Sequence, residues 1–166
     1  FTPNSRYLFS AGADAAVRRW EIYAPDISAS MQVLRGHEGD VNALEISQDG
    51  QWLVSLGEFD ATARLWDLDD LDAERDHVVL EAFDSNVKQV AFSGDQSWLA
   101  AISDHDGSAR LWQFDSGKLT DKSILLKGHQ YGINALAATP DGRWLVTGSY
   151  DSTARLWDLH SDKPAS

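Results

Sequence analysis

Two sets of side chains in this sequence have the types that nucleophilic catalysis needs. His37, Ser55 and Asp60 form one, and His129, Thr147 and Asp151 form the other, with Ser149 able to replace Thr147. A hydroxyl, an imidazole and a carboxylate brought together supply a nucleophile, a general base and a group that orients the base. That chemistry would be hydrolysis. A catalytic centre, however, usually occurs once in a chain, and here the same residue types return in phase.

The return governs the whole sequence. Trp20, Trp66, Trp112 and Trp157 are 46, 46 and 45 residues apart, and Asp14, Asp60, Asp106 and Asp151 keep the same spacings. A fixed period in this range marks an architecture of stacked equivalent units. Residues that recur in every unit belong to the architecture. Residues that differ between units are free to carry specificity.

The last unit is the most regular and reads entirely as strands. Gly128-His129 opens it, and Ile133 to Ala138 is a short apolar run of the kind a buried strand gives. Thr139-Pro140-Asp141-Gly142 suits a type I turn with Gly in the left-handed position of a hairpin bulge. Trp144 to Gly148 and Thr153 to Asp158 follow as strands, separated by a turn at Ser149–Ser152. Alternation puts Arg155 and Trp157 on one face and Ala154 and Leu156 on the other, so both faces are expected to be covered. The plan repeats in units of about 1–34, 35–82, 83–126 and 127–160, with 161–166 as a tail. Outer strands are expected at Met31–Leu34, His77–Ala82 and Ser123–Leu126. No stretch has helical periodicity.

With 166 residues, the chain is long enough to bury a substantial core. The formal net charge of −12 repels phosphate backbones and anionic lipid, which argues against nucleic-acid and membrane-surface partners. No apolar run is long enough to span a bilayer. The absence of cysteine removes disulfides and thiolate metal sites. It leaves the compartment open, with the cytoplasm favoured. No phosphate-binding glycine loop, calcium loop or zinc spacing is present, so no cofactor is expected. The acidic stretch from Asp67 to Asp76 reads as a solvated connection.

Gly36-His37, Asp60 and Trp66-Asp67, and again Gly128-His129, Asp151 and Trp157-Asp158, resemble the WD40-repeat family. The likeness covers essentially the whole chain in four tandem copies. The closeness of the copies also resembles bacterial propellers fused to signalling or ATPase modules. The family implies an all-β propeller of four-stranded blades. On its blade scheme the two middle blades are complete, the first lacks its inner strand and the last its outer strand. That gives 14 strands and an expected open arc of about four blades, a fragment of a larger ring. Its free edges invite self-association.

The resemblance also assigns the polar sets. His37, Ser55, Asp60 and Trp66, with His129, Thr147, Asp151 and Trp157, are expected to form hydrogen-bonded structural tetrads. The third unit departs from this pattern, with Asp84 for His, Ala101 for the hydroxyl and Gln113 for the Asp after Trp. Its internal network is expected to be broken, and a buried Asp106 there would need another partner or water. Trp52, Trp98, Trp144 and Tyr7 are expected to pack between blades.

The variable positions are the candidates for recognition. Phe59, His105 and Tyr150 each precede the repeated Asp, and Asp40, Asn42, Asn86, Lys88 and Asn134 flank the inner strands on the same rim. Exposed aromatic side chains are favoured interface anchors. The function expected is a non-catalytic scaffold or regulatory segment that binds a protein or peptide there. The alternatives are an enzyme with a site in a propeller channel and a self-assembling fragment.

Overall fold

A computed structural model describes residues 1–58, 60–70, 77–80 and 87–161. All regular structure among them is β-strand: β1 (Tyr7–Ala11), β2 (Ala16–Glu21), β3 (Gln32–Arg35), β4 (Val41–Ile46), β5 (Trp52–Gly57), β6 (Ala63–Asp67) and β7 (His77–Leu80) form one run. The second comprises β8 (Val87–Phe92), β9 (Trp98–Ser103), β10 (Ser108–Asp115), β11 (Lys118–Lys127), β12 (Ile133–Ala138), β13 (Trp144–Ser149) and β14 (Ala154–Asp158). They make four antiparallel sheets, ordered β1-β2-β3, β4-β5-β6-β7, β8-β9-β10-β11 and β12-β13-β14. This is the expected all-β class. Among the described residues, the first sheet has no strand inside β1 and the last has none outside β14. Residues 162–166 of the expected tail 161–166 and the last two positions of the outer strand His77–Ala82 lie outside the described residues.

The chain divides into two compact units, one with β1–β7 and the other with β8–β14. In the first, Phe9, Val17 and Leu34 of one sheet pack against Val41, Leu53 and Trp66 of the next. In the second, Trp98, Ala100, Ile102, Ala109 and Leu111 pack against Ile133, Leu136, Leu145 and Trp157. Each contact joins one face of a sheet to the face of its neighbour that bears Trp66 or Trp157. One expectation fails here. In the last sheet only the Trp157 face is covered, and Leu156 on the opposite face is 50% exposed. The positions that Ala109 and Leu111 bury in β10 are open to solvent at Ala154 and Leu156 in β14.

The turns before β1, β5, β9 and β13 share a side-chain network that the sequence reading did not identify. The hydroxyls of Thr2, Ser47, Ser93 and Thr139 donate to Asn4, Asp49, Asp95 and Asp141 at 2.7, 2.6, 2.6 and 2.5 Å. The same hydroxyls accept the N–H of Tyr7, Trp52, Trp98 and Trp144. Each turn therefore closes twice, and the aromatic residue that opens the next strand is fixed by its own backbone. Of these rings, Trp98 is buried in the core between its two sheets. Trp144 lies under the Arg143 guanidinium, and Tyr7 under Arg6 and Arg19.

Each inner strand carries a bulge at its second residue. The register shifts between Val41 and Ala43, between Val87 and Gln89, and between Ile133 and Ala135. The residues left out of the ladder, Asn42, Lys88 and Asn134, are all exposed. A bulge re-aims a side chain in this way.

The outer strand expected at Ser123–Leu126 is only part of the ten-residue β11. Ser116 and Gly117 both have positive φ, 51° and 76°, and Asp115 pairs with Lys118. This two-residue hairpin turn matches the strand twist, so β10 folds straight back into β11. Gly117→Val should lower stability by about 1–2 kcal/mol, because a side chain in the left-handed region meets the following carbonyl. Chemical denaturation followed by tryptophan fluorescence checks this.

Candidate functional site

Antiparallel pairing of β5 with β6 and of β13 with β14 places a hydroxyl, a Trp and a neighbouring loop His within reach of one another. The His37 Nδ1 lies 2.7 Å from Asp60 Oδ2, and its Nε2 lies 2.7 Å from Ser55 Oγ. The Trp66 indole N–H donates to the same Oγ at 2.8 Å. The last sheet repeats this geometry. His129 is 2.9 Å from both Asp151 and Thr147, and the Trp157 indole N–H donates to Thr147 at 2.9 Å. Thr147 takes the hydroxyl place. Ser149 instead donates to the carbonyls of Tyr131 and Gly132.

The hydrogen positions follow from counting. The hydroxyl oxygen accepts the indole N–H, so its own proton goes to His Nε2. The imidazole is then neutral, with its proton on Nδ1 pointing at the carboxylate. Burial likewise holds the His37 imidazole below its ordinary value, against the pull of Asp60. Burial also opposes the charge on Asp60. The N–H groups of Thr62 and Glu38, together with His37 and the Thr62 hydroxyl, outweigh it and keep the carboxyl below its ordinary value. At Asp151 the Thr153 hydroxyl acts first, joined by Gln130, His129 and the Thr153 N–H, and holds the carboxyl far down. Ser55 and Thr147 have no exposed surface. A nucleophile must reach a substrate, and these oxygens reach only their own blade.

The first and third sheets lack the full set. Trp20 donates to Ser10 Oγ at 3.0 Å, and Asp14 pairs with Arg18. In the third sheet Asp106 is exposed, contrary to expectation, and accepts the N–H of Ser108 at 3.0 Å. The Ser108 hydroxyl is buried with no hydrogen-bond partner among the described residues. In the complete sets the Asp is held by the His Nδ1, and the third unit has Asp84 in place of that His. Asp84, at the expected His position, lies outside the described residues.

The variable rim is best defined in the second unit. Tyr150 is 58% exposed and Tyr131 63%. The Lys88 ammonium donates to the Tyr150 hydroxyl at 3.0 Å and stands 5.3 Å from its ring centroid. That bond raises the Lys88 pKa. His105 is exposed and pairs with Asp104 at 2.5 Å. The loops beneath are tightly fixed. Tyr150 N–H donates to the Gly132 carbonyl at 3.1 Å, and a Cβ on Gly132 would fall 1.7 Å from the Asp104 oxygen. Asn134 is exposed on the neighbouring bulge.

In the first unit Asn42 is exposed, and Asp40 is half-buried with its carbonyl bonded to Glu58 N–H at 2.8 Å. Phe59 and Asn86 lie outside the described residues, as does 71–76 of the acidic stretch. Tyr131 was missed in the sequence because Gly39 holds the equivalent place after the earlier Gly-His. An aromatic residue where its counterpart is Gly was the available signal. Among the described residues, no group of three or more His, Cys, Asp or Glu is placed to hold a metal ion.

Trp157→Phe should cost on the order of 1–3 kcal/mol by leaving the buried Thr147 hydroxyl without its donor, measured by urea unfolding. Acid should weaken the fold in two stages. The unfolded chain protonates His37 near 6.5 while the folded chain resists, so stability is full above that value and falls below it. The depressed Asp60 and Asp151 add a second loss below about 3.8. His37→Asn should flatten the first stage in urea midpoints compared between about pH 7.5 and 5.

The protein-family model WD40, described as WD domain, G-beta repeat, matches residues 28–67, 76–113 and 120–158, together more than half of the chain. A search of curated proteins finds no match.

Proposed function

The chain belongs to the WD40 family, whose repeats generally mediate protein–protein interaction or scaffolding, and we propose that it is a non-catalytic scaffold that docks a protein or peptide on the rim carrying the Gly-His loops and Asp turns. The tetrads act as braces in this reading, and the rim side chains that do not recur supply recognition. The observation that carries it is the pair Tyr131 and Tyr150. Both rings stand mostly in solvent on loops that are hydrogen-bonded in place. A large ring on a fixed loop loses little entropy when it is covered, which is how interface anchors work. Lys88, His105 and Asn134 surround them with polar groups suited to a rim. Asn42, Asp40 and Phe59 are proposed for recognition in the first unit, and Asn86 in the sequence of the second.

The test is parallel affinity capture with the unaltered chain and with Tyr131→Ala/Tyr150→Ala. A partner held by the former should be lost at least tenfold by the latter, with thermal melting unchanged. Equal retention of every captured protein would remove the rim from consideration, and a fall in melting temperature would make these rings packing residues.

A further inference from the structure

In the second unit the exposed rings of Tyr131 and Tyr150 share a rim with two carboxylates. The Tyr150 N–H donates to the carbonyl of Gly132, so the two main chains are adjacent. The turn that carries Asp104 and Asp106 is locked against the same loop. A Cβ on Gly107 would lie 2.9 Å from the Tyr131 carbonyl oxygen, and a Cβ on Gly132 would lie 1.7 Å from that of Asp104. The Asp104 carboxylate is partly exposed beside His105. Asp106 is exposed and, among the described residues, accepts only the N–H of Ser108.

A carboxylate and the face of a phenol ring both attract positive charge. One cation already stands here. The Lys88 ammonium meets Tyr150 at its hydroxyl end, 3.0 Å from the oxygen and 5.3 Å from the ring centroid, which leaves the faces of the ring open. Tyr150 and then Asp104 favour its charge. One ammonium against two carboxylates leaves an excess of negative charge, in a chain whose formal net charge is −12. The first unit lacks the set. Gly12 and Gly39 stand in the places of Asp104 and Tyr131, and Asp14 is paired with Arg18.

Building on the docking reading above, we infer that this rim takes a basic segment of the partner, with an arginine guanidinium stacked on the tyrosine rings and paired with the carboxylates of Asp104 and Asp106. A guanidinium is planar and weakly hydrated, so it stacks on a ring while its edge bonds a carboxylate. Lysine offers a point charge with a tighter water shell. An acidic segment would meet two carboxylates of its own sign and the field of the whole chain.

The experiment titrates the whole 166-residue chain, its tyrosine rings labelled with carbon-13, with the peptide acetyl-Gly-Ala-Arg-Ala-Gly-amide. Nuclear magnetic resonance reads the ring signals. Those of Tyr131 and Tyr150 should shift and saturate, while Tyr7 and Tyr23 stay in place as internal references. Citrulline in place of the arginine keeps the shape without the charge, and should bind about tenfold more weakly. Asp104→Asn/Asp106→Asn should weaken binding by a similar factor. Lys88→Met should tighten it about threefold, because a competing positive charge is gone. The citrulline peptide leaves the protein unaltered, so it decides the matter if a variant melts early.

The inference is overturned by unsaturated or absent shifts at Tyr131 and Tyr150, by equal binding of the citrulline peptide, or by tighter binding of a peptide with glutamate in place of the arginine. In each of these cases, loss of a captured partner on Tyr131→Ala/Tyr150→Ala would keep the rim as a docking face of another chemistry. Retention of every captured protein by that double variant would remove the docking reading and the basic partner with it.

Discussion

A single buried hydroxyl oxygen sets the geometry of the second sheet and another that of the fourth. Ser55 Oγ and Thr147 Oγ1 each accept an indole N–H from the neighbouring strand, and each has one proton left to give. That proton goes to an imidazole nitrogen from a different loop. The imidazole is thereby fixed in one tautomer, its other N–H is aimed at an Asp, and the Asp gathers the backbone N–H groups of its own turn and of the Gly-His loop. Two paired strands, the turn between them and the Gly-His loop are thereby tied together. The arrangement is stable because every buried polar group in it is paired, and removing one member leaves the others unsatisfied in a medium with no water.

The third sheet shows what happens when that atom is absent. Ala101 is buried at that position and Asp106 is exposed. The turn that carries His105 is nevertheless held. A Cβ on Gly107 would lie 2.8 Å from the His129 carbonyl oxygen and 2.9 Å from that of Tyr131. Gly132 approaches the Asp104 carbonyl in turn. The unbraced turn is thus clamped against a loop braced by the tetrad of the next sheet. Within this unit the geometry at His105 depends on His129, two loops away.

The period of the Trp and Asp residues made the strands and their sheets legible, because each unit repeats the same alternation between the same turns. The polar tetrads were legible for a related reason, since a Trp, a hydroxyl, a His and an Asp in phase leave few other ways to pair. Other features were hidden. The hairpin at Ser116–Gly117 occurs in one unit only, so the repeat offered no second copy to reveal it. The exposure of Asp106 depends on a missing partner, and periodicity marks presence more readily than its consequences. The open face at Leu156 depends on whether a neighbouring sheet covers it, which the strand pattern does not encode. The bulges were hidden too, because an extra residue in the ladder leaves the apolar spacing almost unchanged.

The fold itself separates display from structure. Asn42, Lys88 and Asn134 occupy one recurring backbone irregularity, yet they differ in charge and reach. The bulge places a side chain outside the ladder whatever that side chain is. Ala15, Ala61, Gly107 and Ser152 make the same point from the other side. All four have positive φ, between 52° and 65°. Three units accept Ala or Ser there, so the backbone angle alone does not require glycine. Gly107 is required because two carbonyl oxygens of a neighbouring loop occupy the space of a Cβ. A residue type that follows from a neighbour's position reports packing. At Asn42, Lys88 and Asn134 the backbone irregularity does not dictate the residue type.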